Sequence, residues 1–123
     1  MSQKISRTMV TKKQIITKKD QDWAKAIKER DKVCQICKRS KGRLNAHHII
    51  PRQFKETRWD LNNGILLCFQ HHRVGKYSAH QNAIWFSNWL FLNNPNQHNY
   101  ILRKLDQISQ FPQKDYKSRK ITI

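Results

Sequence analysis

Apolar and polar positions along the chain change their period several times, and each change marks an element. Trp23, Ala26 and Ile27 share one helical face in an otherwise polar stretch, which predicts a helix through Trp23, Ala24, Ala26, Ile27 and Arg30 with Asp20 as its N-cap. Trp23 on that face could pack on the cysteine-bearing region that follows, but it reads as a core residue. Leu44 to Ile50 ends in β-branched residues and is closed by Pro51, which reads as a strand. Residues 52–62 are an expected irregular connection anchored by Phe54, Trp59 and Leu61. Ile65, Leu66 and Leu67 form an apolar run that enters Cys68, and a helix is expected from Cys68 to Tyr77.

The texture changes after residue 80. The run AIWFSNWLFL reads as a buried helix, and the cluster Asn93-Asn94-Pro95 ends it. Tyr100, Ile101, Leu105 and Ile108 then recur at helical spacing. Trp85, Phe86, Trp89 and Phe91 could form a stacking platform for single strands, but at helical spacing they read as core. The predicted class is α+β, with short strands at the centre and helices at both ends. Residues 1–19 form an expected basic flexible tail, residues 20–110 the folded unit, and residues 111–123 a second basic tail.

Charge narrows the partners. The chain has 25 Lys and Arg against 8 Asp and Glu, a formal net charge of +17 over 123 residues. Self-repulsion on that scale opposes compaction, and a polyanion relieves it. Nucleic acid is the first candidate and a membrane surface the second. No segment approaches a membrane span, and the first residues lack the apolar core of a signal peptide. The expectation is therefore a cytoplasmic basic protein with no membrane partner. Charge without pattern, as in KRSKGR at 38–43, gives affinity that is independent of sequence and falls with salt.

Cysteine and histidine carry the chemistry. All three cysteines and four of the six histidines lie between residues 34 and 72. Cys34 and Cys37 form one Cys-x-x-Cys pair, and Cys68 stands three residues before His71. An odd number of cysteines does not suit a disulfide framework. Four ligands drawn from thiolate and imidazole do suit structural zinc, with Cys34, Cys37 and Cys68 joined by either His71 or His72. His47-His48 and Asn62-Asn63 lie between the two pairs, outside that ligand set.

The ordered motifs Cys34-x-x-Cys37, His47-His48-Ile49-Ile50-Pro51, Asn63-Gly64-Ile65-Leu66-Leu67-Cys68 and His71-His72 resemble the HNH endonuclease family, in its zinc-containing phage and mobile-element type. The resemblance spans residues 31 to 80. It implies a small ββα-metal core stapled by a structural zinc, with the additional helices packed on its back. Its register makes His71 the fourth zinc ligand, where members of the family often have a second Cys-x-x-Cys pair. It also implies His48 as general base, Asn63 as the residue that fixes the connecting loop, and His47 and His72 as ligands of a catalytic divalent cation. Many members have Asp where this chain has His47. Neutral imidazoles favour Zn²⁺, Ni²⁺, Co²⁺ or Mn²⁺ over Mg²⁺. His80 could assist the metal or phosphate, or simply be a loop residue. Arg52, Arg58 and Arg73 could each contact phosphate or face solvent, and His98 is expected to face solvent.

The function implied is metal-dependent hydrolysis of DNA phosphodiester bonds with low sequence specificity, leaving a 5′ phosphate and a 3′ hydroxyl. One rival is a zinc-knuckle module that binds nucleic acid without cutting. Another is an adaptor in a larger phage or mobile-element machine, docking through the helices of residues 80–109.

Overall fold

The computed structural model describes residues 9–108. Helix α1 spans Lys12–Asp31, strands β1 and β2 span Leu44–His48 and Gly64–Cys68, and helices α2 and α3 span Ala83–Asn93 and Pro95–Ile108. The two strands pair antiparallel, from Leu44 opposite Cys68 to His48 opposite Gly64. The α+β class is as expected. Residues 1–8 and the C-terminal tail beyond residue 108 lie outside the described residues.

The hairpin is the middle layer of three. Side chains alternate across a strand, so Leu66 meets Trp23 and Ile27 of α1 on one face. On the other face Ile65 and Leu67 join Phe86, Leu90 and Ile101 of the α2–α3 pair. Being covered twice, β2 is buried at every position, and Leu66 and Leu67 are each 0% exposed. Burial of a leucine side chain contributes roughly 1.5–3 kcal/mol. The outer edge of β2 is also satisfied. The Leu66 N–H donates to the Asp31 carboxylate at 2.9 Å and the Leu66 carbonyl accepts from the Gln35 N–H at 3.0 Å.

Helix α1 departs from expectation at its start. It begins eight residues before Asp20, because Thr11 and Gln14 form a reciprocal capping box and nothing between them and Asp20 breaks a helix. The expected flexible tail therefore does not reach residue 19. Asp20, freed from a capping role, reaches across to Arg58 and Trp59. Only Trp23 and Ile27 of α1 are buried, so the helix is clipped at its other end too. Arg30 donates to the carbonyls of Leu61 and Gly64, both at 2.8 Å. Trp23 is a core residue as expected, packed with Ile27 and Leu66 and stacked on His48.

Four further expectations are corrected. The strand of residues 44–50 is paired only to His48, and the chain bends at Ile49 before Pro51. The helix expected over residues 68–77 is a single wide turn, Gln70–Val74, closed by the Gly75 N–H on the Gln70 carbonyl at 2.8 Å. The aromatic helix α2 is buried along one face only: Phe86 and Leu90 are covered, whereas Ile84 is 85% exposed. Its end at the Asn-Asn-Pro cluster is as expected, with Pro95 opening α3 where its missing N–H costs nothing. Leu61, an expected anchor, is largely exposed, whereas Phe54 and Trp59 do pack against the two cores.

Candidate metal centres and active-site cleft

Cys34, Cys37, Cys68 and His71 converge, with their ligand atoms within 4.8 Å of one another. The Cys37 and Cys68 sulfurs are 3.8 Å apart, and His71 Nδ1 lies 3.3 Å from Cys68 Sγ and 3.9 Å from Cys34 Sγ. All three cysteines are free thiols. A zinc tetrahedron with bonds of about 2.3 Å to sulfur has sulfur–sulfur edges of about 3.8 Å, so the donor set fits that ion in both chemistry and spacing. The turn bringing Cys34 and Cys37 together is closed by the Lys38 N–H on the Cys34 carbonyl at 2.8 Å. Lys38 adopts φ 67° there, and Gly42 takes φ 83° before β1 begins.

Two of the four groups, Cys34 and His71, are shifted toward their metal-binding forms. Burial opposes ionisation of Cys34, but backbone N–H groups of Cys37, Cys68 and Ile36 directed at its sulfur bring the thiol below its ordinary range. Cys37 is pushed up, first by burial. Burial, helped by Arg39, lowers His71 and keeps its imidazole neutral.

His47, His72 and His80 form a second cluster, again with ligand atoms within 4.8 Å. Ring centroids are 5.0 Å apart for His47 and His72, 5.2 Å for His47 and His80, and 4.8 Å for His72 and His80. His47 comes from β1 and His72 from the wide turn. His80 comes from the loop after the turn, which folds back through backbone bonds. The Ala79 N–H donates to the His71 carbonyl at 2.8 Å, and the His80 N–H donates to the His72 carbonyl at 3.1 Å. His71 and His72 thus serve different clusters, as expected of adjacent residues on a helical turn. The Phe86 ring meets His47 edge-on, and the Asn45 amide nitrogen lies 3.3 Å from His72 Nδ1. Burial, and then the neighbouring imidazoles, push His47 down to about 3. Burial, then His80 and Arg73, push His72 down to about 4. His80 is lowered by burial and by Arg73. Three neutral imidazoles are a fitting donor set for a borderline divalent cation.

His48 points to the opposite face of β1 from His47. Its ring stacks on Trp23, with centroids 3.8 Å apart and planes 8° from parallel. Gly64 is paired across from it, and a Cβ there would fall 2.5 Å from both Trp23 and Ile27, so only glycine admits this packing. His48 Nε2 lies 2.8 Å from the Arg58 carbonyl oxygen. Burial lowers the His48 pKa, while that carbonyl and Asp20 work to raise it.

Asn63 is fully buried and ties the connecting loop from within. Its Oδ1 accepts from the Ile50 N–H at 2.7 Å, and its Nδ2 donates to the carbonyls of Ile50 and Thr57 at 3.0 and 3.1 Å. The exposed Asn62 makes no such side-chain bonds among those described. His47, His48, His72 and His80 all line one cleft of about 740 Å³, as do Arg52 and Arg73.

The three arginines part company. Arg52 and Arg73 are exposed at the cleft. Arg58 is already paired, with its guanidinium held by the Asp20 carboxylate through bonds of 2.9 and 2.7 Å. Its carbonyl oxygen is instead the partner of His48 Nε2. The guanidinium bond draws the Asp20 pKa below its ordinary value. His98, expected to face solvent, is partly buried beside Phe91. Sequence reasoning missed Asp20, Trp23 and Asn45 as neighbours of the imidazoles, because each is recruited by a contact across the fold.

The HNH endonuclease family model matches residues 34–75, the segment from the first cysteine to the end of the wide turn. No curated protein and no solved structure matches the chain.

Proposed function

We propose that this chain, whose residues 34–75 carry an HNH endonuclease domain, is a metal-dependent DNA endonuclease. In this reading Cys34, Cys37, Cys68 and His71 hold a structural Zn²⁺. His47, His72 and His80 hold one divalent cation, and His48 is the general base. The observation that carries the reading is the pairing of a carbonyl-bound His48 with a cluster of three imidazoles in the same cleft.

A carbonyl can only accept, so the bond to Arg58 places the His48 proton on Nε2 and leaves the lone pair on Nδ1. Nδ1 can then take a proton from water as the water oxygen attacks phosphorus. The charge that develops on the ring is balanced by the Arg58 carbonyl and by Asp20 behind it. The stack on Trp23 fixes the plane of the ring, and Asn63 holds both ends of the loop that delivers the carbonyl. A divalent cation, when bound, supplies positive charge to the phosphate and to the leaving 3′ oxygen. Arg52 and Arg73 can pair with neighbouring phosphate oxygens. The products are a 5′ phosphate and a 3′ hydroxyl. Charge without a base-reading pattern supports low sequence specificity.

The test is plasmid cleavage by zinc-reconstituted protein with Mg²⁺, Mn²⁺, Co²⁺ and Ni²⁺ added in turn. Relaxation or linearisation that His48→Ala lowers by about 10²–10⁴-fold is the expected result. No cutting with any metal, alongside salt-sensitive DNA binding, replaces this reading with the non-catalytic module.

A further inference from the structure

A second cavity, of about 540 Å³, opens along β1 beside α1. Four of its lining side chains are cationic: Lys25 and Lys28 from α1, Arg43 from the approach to β1, and Arg73 from the wide turn. None of its lining residues is acidic. All four cations are exposed, and the ion pairs among the described residues engage Lys18, Arg30 and Arg58 instead. Lys25 and Lys28 are three apart on one helix and therefore share a face. Arg43 is braced over the Phe69 ring, its guanidinium carbon 4.6 Å from the centroid. The cavity shares Ala24, Ala46, His72 and Arg73 with the cleft that holds the imidazoles. Sharing these residues, the two adjoin as a trough, and Arg52 lines the second of them.

We infer that this trough is the bed for the phosphate backbone of duplex DNA. Lys25, Lys28, Arg43 and Arg73 neutralise phosphates on one side of the scissile bond, and Arg52 does so on the other. The inference rests on the endonuclease reading for where the scissile phosphate lies. It adds a binding role for α1, which lies outside the segment matched by the family. Charge complementarity is the argument: a run of unpaired cations with no carboxylate among them suits a polyanion laid lengthwise. The lysines at the start of α1 do not line the trough, so position, not net charge, distinguishes the two groups.

The test measures anisotropy of a short labelled DNA duplex against salt, with no divalent cation added, so that binding is read without cleavage. Lys25→Ala/Lys28→Ala is compared with Lys12→Ala/Lys13→Ala, which removes the same charge outside the trough. Each phosphate contact contributes about 0.9 to the slope of log affinity against log salt. The trough variant is expected to lose about 1.8 from that slope, and the control to lose little. Equal losses in the two variants overturn the inference in favour of diffuse attraction. A selective loss seen only with an RNA duplex overturns the assignment to DNA. Failure of the endonuclease reading stays distinguishable, since a chain that binds through the trough yet cuts nothing keeps the trough and loses the nuclease.

Discussion

The two clusters that could hold a metal are built from neighbouring residues and to opposite specifications. The Cys34–Cys37–Cys68–His71 set is rich in sulfur and takes its ligands from the Cys34–Cys37 turn, the end of β2 and the start of the wide turn. The His47–His72–His80 set is imidazole alone, gathered from a strand, a turn and a loop, and it faces a cleft. Soft ligands with tetrahedral spacing suit an ion that stays and organises the chain, whereas neutral ligands lining an open cleft suit an ion that shares its coordination with substrate. Adjacency in sequence therefore says little about shared function here, since His71 and His72 belong one to each cluster.

The sharpest way to break that contrast is Cys68→Ser. If the first cluster is structural, this change removes zinc and cooperative folding together, because a structural zinc contributes about 10–16 kcal/mol of folding free energy. Circular dichroism melting and metal content would show it. A folded, zinc-free variant would end the structural assignment. Asn63→Ala comes next. It strands the Ile50 N–H and the carbonyls of Ile50 and Thr57, for an expected loss of about 2–4 kcal/mol in urea unfolding. Zinc content should not change.

His80→Ala addresses the second cluster alone. A variant with full zinc content but a divalent-cation affinity lowered about tenfold, read by titration calorimetry on zinc-loaded protein, would place His80 among the ligands. Unchanged affinity would return it to the loop. The smallest effect concerns protons. His47 and His72 titrate far below their ordinary 6.5 in the fold, so between pH 6.5 and about 4 the unfolded chain binds protons that the folded chain does not. Their contribution to stability is present above 6.5 and is lost as pH falls through the folded values. In protein carrying only the structural zinc, His47→Gln/His72→Gln should therefore show a shallower loss of urea stability between pH 6.5 and 5 than the wild type. The proton linkage of the zinc site is common to both proteins and cancels in the difference.

Much of this was readable in advance where ligands come in short pairs. Cys34 with Cys37 and Cys68 with His71 are separated by single turns, so local geometry nearly fixes their meeting. Asn63 was distinguishable from Asn62 only through the register of the motif, and the structure buries Asn63 while leaving Asn62 exposed. His80 could not be decided, because it reaches His72 through a loop closed by two backbone bonds, which no side-chain pattern announces. The start of α1 was misjudged because Asp20, an attractive cap, competes with a capping box nine residues earlier. Arg58 draws attention for its charge, which Asp20 takes, while its carbonyl is what meets His48. Contacts across the fold made that difference.

His47 and His48 are consecutive residues on β1 with different neighbours, one among imidazoles and the other on Trp23. What separates them is the pairing of β1 with β2, since a slip of one residue sends every side chain of a strand to the other face. Such a slip would preserve the composition, charge and hydrogen-bond ladder of the hairpin while presenting each imidazole to its neighbour's surroundings. The fidelity of one five-residue strand pairing therefore determines which histidine joins the imidazole cluster and which stacks on Trp23.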